Sequence, residues 1–441
     1  MNTDLTLDHS ENKLWRFLLP MLLSVMFQQF YNIADSMIAG RFAGEDALAA
    51  VGASYPITVI FMAFATGSNL GSSVIVSRLF GAKDFKKMKS AVTTAFIACG
   101  ILSLFLTAYG LIFCAPMMRL IRTPGNIFDA GALYLRIYTL GMTFLILYNV
   151  CTGIFTAIGD SKTPLYFLIG SSVGNILLDI LFVAVFHMGV AGVAWATFIA
   201  QGISSLLALF TLWGRLKNMT GGENAPFFDK YIFNQISSIA VPSIMQQSVL
   251  SVGNLFIQVI VNQYGSVTIA GYSAAIKLNT FAITSFMALG SCMSSFTAQN
   301  IGAGRPFRIP LGFKKGIKLS LIAAVPFFVL YFLFSNQMMG LFLNESSADA
   351  IQAGSWFLKI VSPFYFMIAI KLMTDGVLRG ASAMVYFVIA TVPDLILRIC
   401  FAWLFSPAFG STGIWMAWPF GWIAATVLTV IFYRRILAKL L

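Results

Sequence analysis

Residues 20–40 read PMLLSVMFQQFYNIADSMIAG, and residues 242–261 read PSIMQQSVLSVGNLFIQVIV. Each is long enough to cross the hydrocarbon of a bilayer, about 30 Å, as one helix of about 20 residues. The first holds a single charge, Asp35, and the second holds none. Both open on a proline and continue through a glutamine pair, Gln28 and Gln29 in one and Gln246 and Gln247 in the other. The two prolines, at 20 and 242, stand 222 residues apart.

The rest of the chain is of the same kind. Hydrophobic residues make up 59% of its 441 positions and charged residues 10%, against about 25% charged in soluble domains. A chain this apolar needs lipid as its main solvent. Apolar runs long enough to span fall at 14–39, 50–76, 91–115, 130–154, 163–186, 189–213, 233–262, 267–296, 316–334, 352–377, 383–405 and 411–433. Pro20, Pro56, Pro242, Pro326, Pro363, Pro393 and Pro419 lie within these runs, where each removes a backbone donor and favours a bend.

The net charge of +12 does not point to nucleic acid, because the basic residues sit in short loops between apolar runs. With the N-terminus inside, 20 of the 28 Lys and Arg residues fall in inside segments and three, Arg41, Arg119 and Arg122, outside. This asymmetry predicts cytoplasmic termini and an even number of spans. The polar start, with Asp4, Asp8 and Glu11, precedes no short cleavable apolar stretch, so no signal peptide is expected.

A second landmark repeats at nearly the same interval. Gly81-Ala82-Lys83 follows the second span and Gly302-Ala303-Gly304 the eighth, each leading into a basic loop. The longest polar linker, NMTGGENAPFFD between Lys217 and Lys230, separates six spans from six. The expected fold is therefore an all-α integral membrane protein with twelve transmembrane helices in two pseudo-symmetric six-helix lobes, a parallel repeat. The N-lobe covers residues 1–216, the linker 217–230 and the C-lobe 231–441. Transporters built from such repeats place the substrate site between them.

Enzyme chemistry finds little support. The two histidines, His9 and His187, have no partner nearby in sequence, and no phosphate loop, metal cluster or nucleophile motif appears. Transport without an ATPase motif runs on an ion gradient. The five cysteines, Cys99, Cys114, Cys151, Cys292 and Cys400, are scattered in apolar runs and read as inert buried thiols. The 42 Phe and 20 Met suit adaptable apolar walls, although lipid-facing Phe accounts for most such residues.

Charge inside the spans is the sharpest local signal, since an unpaired buried charge is costly and usually functional. Four acids lie there: Asp35, Asp179, Asp375 and Asp394. Asp375 has Lys371 four residues before it, and Asp394 has Arg398 four residues after it. That spacing shares a helix face and predicts structural ion pairs. Asp35 and Asp179 have no such base, and Asn175 stands one turn before Asp179. Two unpaired carboxylates suit either a sodium ion or an exchangeable proton. Lys277, midway along a span, is a partner for Asp394 or a built-in cation of the C-lobe.

At this point the chain resembles the multidrug and toxic compound extrusion (MATE) transporters over nearly its whole length. The segments that carry the likeness are PMLLSVMFQQFYNIADSMIAGRFAGEDALAAVG (20–52), GIFTAIGDSKTPLYFLIGSSVGNILLDILF (153–182), GVAGVAWATFIAQ (189–201), DGVLRGASA (375–383) and GIWMAWPFGW (413–422). The likeness implies that Asp35 is the acid of the first helix and Pro20 the proline at its bend. It likewise implies that Asn149, Asn175, Asp179 and Thr197 join Asp35 around a coupling ion, H⁺ or Na⁺. The C-lobe departs: Gln246 and Gln247 stand where some members place a glutamate, and Lys371 precedes the acid Asp375.

The chain is more similar to the DinF-like and MepA-like bacterial branches than to the eukaryotic one. The implied function is an antiporter exporting organic cations or amphipathic drugs, with no cofactor beyond the ion. It would be a monomer in the bacterial cytoplasmic membrane. The alternative is a flippase for a lipid-linked saccharide, with Lys277, Lys371 and Arg398 supplying a cationic cavity. A membrane-embedded transferase would need a clustered base or metal site that the sequence does not offer.

Overall fold

The computed structural model describes residues 5, 10–38, 42, 45–121, 123–220, 225–343 and 347–441. Asp4, Asp8, His9, Arg41, Arg122 and residues 221–224 of the polar linker lie outside these. In chain order the helices are α1 (Ser10–Ile38), α2 (Glu45–Gly81), α3 (Phe85–Leu120), α4 (Gly125–Leu140), α5 (Met142–Ala157), α6 (Lys162–Asp179), α7 (Gly189–Thr220), α8 (Lys230–Asn262), α9 (Gly265–Gly302), α10 (Ile309–Leu333), α11 (Ser335–Gly340), α12 (Ala348–Val361), α13 (Tyr365–Gly380), α14 (Met384–Phe409) and α15 (Ser411–Leu440).

Helices α4 and α5 form one crossing, and α12 and α13 another. With α1, whose 29 residues are long enough to span, the chain makes twelve crossings. The fourth, over the run 130–154, is bent: α4 and α5 meet at Gly141 with an angle of 47°. Glycine is among the weakest helix formers, and the Gly141 N–H is shared between the Ile137 and Tyr138 carbonyls. The tenth is interrupted by a 3₁₀ turn, Ser362–Phe364, at Pro363, which lacks the N–H that would continue α12. The fifth ends in a π-helical turn, Ile180–Val185. Elsewhere proline is absorbed: α1 runs through Pro20, α8 through Pro242 and α14 through Pro393.

The outward faces are those of a lipid-solvated protein. On α3, Ile101, Leu104, Phe105 and Ile112 are each at least 65% exposed. A face of that kind is stable only in hydrocarbon, where backbone groups are satisfied inside the helix.

By packing, the chain divides inside α8, with residues 12–245 in one compact unit and 246–441 in the other. In the first unit α2 lies along α5, α3 packs on both, and α7 contacts α4, α5 and α6. In the second unit α9 lies against α12 and α13, α10 against α13, and α14 along α15. Its core is strongly aromatic, with Tyr272, Phe286, Tyr331, Phe357, Tyr365, Trp415, Trp418 and Trp422 in one buried cluster. Tyr272 stacks on Trp415 at 5.0 Å, and Phe357 meets Trp415 and Trp418 edge-on.

The repeat is visible in the backbone. After α5, Ile158 N–H donates to Ile154 O, Gly159 to Thr156 O and Asp160 to Phe155 O. After α13, Ala381 donates to Val377 O, Ser382 to Arg379 O and Ala383 to Leu378 O. The same three bonds close α2 at Ala82, Lys83 and Asp84 and α9 at Ala303, Gly304 and Arg305. Each turn places one residue at positive φ, Gly159 and Ser382 in one pair, Lys83 and Gly304 in the other. This left-handed C-cap satisfies the last carbonyls of a helix. Either half supplies the glycine, so the hydrogen-bond pattern holds the turn even where a side chain is present.

Candidate functional site

Helices α1, α6 and α7 of the first unit bring the unpaired acids together. Asp35 on α1 and Asp179 at the end of α6 have their carboxyl groups within hydrogen-bonding reach of each other. Asp179 is 0% and Asn175 2% exposed, while Asp35 is half-buried. The amide orientation that satisfies Asn175 turns its nitrogen toward Asp179 Oδ2 (2.7 Å) and Tyr31 Oη (3.2 Å), and its oxygen accepts from the Thr197 N–H (3.1 Å). The Tyr31 hydroxyl also lies beside the Thr197 side chain. Neither Asp35 Oδ1 nor Asp179 Oδ1 has a hydrogen-bond partner.

Asn149 is not bonded into this group. Its Nδ2 donates to the Leu145 carbonyl of its own helix at 2.9 Å. Tyr31 and Tyr134 belong to the site although the sequence reading passed over them: Tyr31 bonds to it directly, and Tyr134 lies close enough to feel both carboxyls. The spacing of Tyr31 one turn before Asp35 carried the signal. A cleft beside the site is lined by Tyr134, Tyr138, Leu145, Thr197, Phe198 and Gln201. Phe144 and Trp195 meet Phe198 edge-on at 5.4 and 5.2 Å. Pro20 lies inside the continuous α1, its carbonyl accepting from Ser24 Oγ at 2.8 Å.

A second polar group of this unit closes the turn after α5. Asp160 accepts from the Lys162 and Thr163 N–H groups, from Thr163 Oγ1 at 2.6 Å and from Arg215 Nη1. Arg215 also donates to Thr163 Oγ1 at 2.9 Å and lies over the Phe155 ring. The segment GDSKTP is thereby clasped to the end of α7.

In the second unit the buried acids have bases. Lys371 Nζ is 2.7 Å from Asp375 Oδ2, and Arg398 Nη2 is 2.9 Å from Asp394 Oδ2, all four side chains buried. Lys371 also reaches Thr391 Oγ1 at 3.5 Å, which Gln246 Nε2 approaches at the same distance. Arg379, just past the apolar run 352–377, is buried in the last turn of α13, one turn beyond Asp375. Lys277 does not pair with Asp394, which Arg398 takes; it is exposed, 6.0 Å from the Phe342 ring. Of the cysteines, four are buried as expected and Cys400 is exposed, all of them free.

Comparison with known proteins places this geometry. The family profile MatE matches the chain twice, at residues 20–181 and 242–404, one match in each half. The chain is 29% identical over 433 residues to the "Probable multidrug resistance protein YpnP" of Bacillus subtilis, covering 98% of this chain and 96% of that one. It is 24% identical over 410 residues to the multidrug export protein MepA of Staphylococcus aureus, covering 90% and 88%. Its fold matches that of a MOP superfamily transporter from Pyrococcus furiosus with a TM-score of 0.92 at 22% identity, over 100% of this chain and 98% of the other. The two profile matches begin at Pro20 and Pro242, the prolines that mark the repeat. The chain belongs to the MatE family of multidrug and toxic compound extrusion transporters.

Proposed function

We propose that this transporter exports amphipathic, cationic drug-like molecules in exchange for protons, with Asp35 and Asp179 as the exchange site. One observation carries the reading: the two carboxyl groups are in hydrogen-bonding reach of each other with no base beside them among the described residues. Two carboxyl groups bond to each other only when one holds a proton, since like charges at that distance cannot both persist. Asp35, Asn175, Asp179 and Thr197, with Tyr31, form the working group, and Asn149 borders it.

The cleft lined by Tyr134, Tyr138 and Phe198 supplies aromatic faces, which attract organic cations. Loss of the shared proton leaves the site negative and favours a cationic substrate, so the two ligands are linked reciprocally. The names of the relatives, a multidrug resistance protein and a multidrug export protein, support the substrate class. The protein would work as a monomer in the cytoplasmic membrane, both termini inside, by alternating movement of its two halves.

The test is efflux of a fluorescent cationic dye from oriented proteoliposomes under a pH gradient or a Na⁺ gradient, applied separately. A pH gradient is expected to drive export by the wild type. Asp35→Asn and Asp179→Asn, folded by gel filtration, are expected to show only the leak of empty liposomes. Normal export by either variant would sink the proposal. Export driven by Na⁺ alone would reassign the ion, and no export under either gradient would turn attention to lipid-linked saccharides.

A further inference from the structure

The two halves repeat closely enough to be matched residue by residue. Pro20 and Pro242 set α8 in register with α1 at an interval of 222. Gly159 and Ser382, the equivalent turn residues, set the interval at 223 where α6 and α14 begin. At the far end of those helices, Gly192 packs on the Phe182 backbone and Gly413 on the Phe405 backbone. The phenylalanines again differ by 223, and the glycines, near the starts of α7 and α15, by 221.

This register exchanges both acids of the first-half site and the three residues bonded around them. Ile257 stands for Asp35, Gly253 for Tyr31, Ala402 for Asp179, Arg398 for Asn175 and Trp418 for Thr197. Ile257 and Ala402 are 0% exposed and belong to the aromatic core. Both carboxyl groups have thus been replaced by hydrocarbon, and a guanidinium has entered.

The guanidinium is held from three helices. Arg398 Nη2 donates to Asp394 Oδ2 at 2.9 Å on its own helix, and Nη1 donates to Asn254 Oδ1 on α8 at 3.4 Å. Its central carbon lies 4.4 Å from the Trp418 ring on α15, within cation–π range. Position 421 must be glycine for this to fit, because a Cβ there would overlap the Asp394 carboxylate and come 2.6 Å from its carbonyl oxygen. A guanidinium stays charged in any protein environment.

We propose that Arg398 is a tethered cation: from the place equivalent to Asn175 it supplies permanently the positive charge that an exchangeable cation brings to the first half. The second half is thereby fixed in its ion-loaded form, and coupling runs through the first half alone. This rests on the reading of Asp35 and Asp179 as the exchange site.

Dye export by the full chain in liposomes tests it. Arg398→Lys keeps a cation and is expected within about three-fold of wild type, whereas the neutral Arg398→Gln falls at least about ten-fold. Arg398→Ala opens room for a free ion. Millimolar guanidinium on both sides is expected to restore its export. A guanidinium gradient applied alone is expected to drive dye through Arg398→Ala and not through wild type, a response that a merely structural arginine would not produce. Equal export by the Lys and Gln variants overturns the proposal, as does a folded Arg398→Ala that guanidinium neither rescues nor drives. Should Arg398→Ala not fold, the contrast between Lys and Gln decides. Asp35→Asn measured alongside keeps the two readings apart: its normal export refutes the exchange site, while the Arg398 contrast reports on the second half regardless.

Discussion

The first half buries two acids against each other without a base, and the second buries two acids with a base one turn from each. The C-caps repeat in both, hydrogen bond for hydrogen bond. The difference lies in how burial of a charge is offset. A Lys or Arg on the same helix neutralises a carboxylate permanently and makes it part of the scaffold. A carboxylate with no base beside it in the fold must take its positive charge from outside, and whatever brings that charge can also leave. On the proposed reading, one fold yields a fixed half and an exchangeable half through a handful of side chains.

The comparison breaks most severely at the pairs of the second half. Asp375→Leu leaves Lys371 and Arg379 buried without their acid and is expected to cost about 3–5 kcal/mol of stability, read from thermal unfolding in detergent. Lys371→Met/Asp375→Leu removes one of the two stranded cations, so it should recover part of that loss and still export dye. Failure of the folded double variant to export would give the second half an ionic role of its own.

The next effect tests the clasp present in the first half and missing from the second, where Ala383 stands at the place of Asp160. Arg215→Ala removes a charge-assisted partner of the buried Asp160 and, with Arg215 about one-third exposed, should cost about 1–2 kcal/mol. A smaller or absent shift in melting would show that Thr163 and the two backbone N–H groups satisfy Asp160 alone. Tyr31→Phe deletes one neutral hydrogen bond to Asn175, worth about 1 kcal/mol, and should slow export roughly five-fold without unfolding the protein. A loss as complete as that of Asp179→Asn would make Tyr31 a member of the exchange site itself. Gln246→Ala should matter least, below about 0.5 kcal/mol and within two-fold in export, since its contact with Thr391 is a long 3.5 Å. A large effect there would contradict the picture of a second half that takes up no ion.

Sequence alone determined the features that depend on local spacing or on solvent. Apolar runs of spanning length dictated a membrane protein, because backbone groups in hydrocarbon must be satisfied within the helix. The interval between Pro20 and Pro242 dictated a repeat. The pairs Lys371–Asp375 and Asp394–Arg398 were legible because residues four apart share a helix face. Tertiary structure decided the rest. The meeting of Asp35 with Asp179 depends on how α1 packs beside α6, which no local pattern encodes. So do the stacking of Arg398 on Trp418 and the burial of Arg379. The break at Gly141 was equally out of reach, since most glycines in these helices are absorbed and only packing selects the one that bends. Side chains one turn apart are fixed by helix geometry, whereas side chains on different helices meet only where packing brings them together.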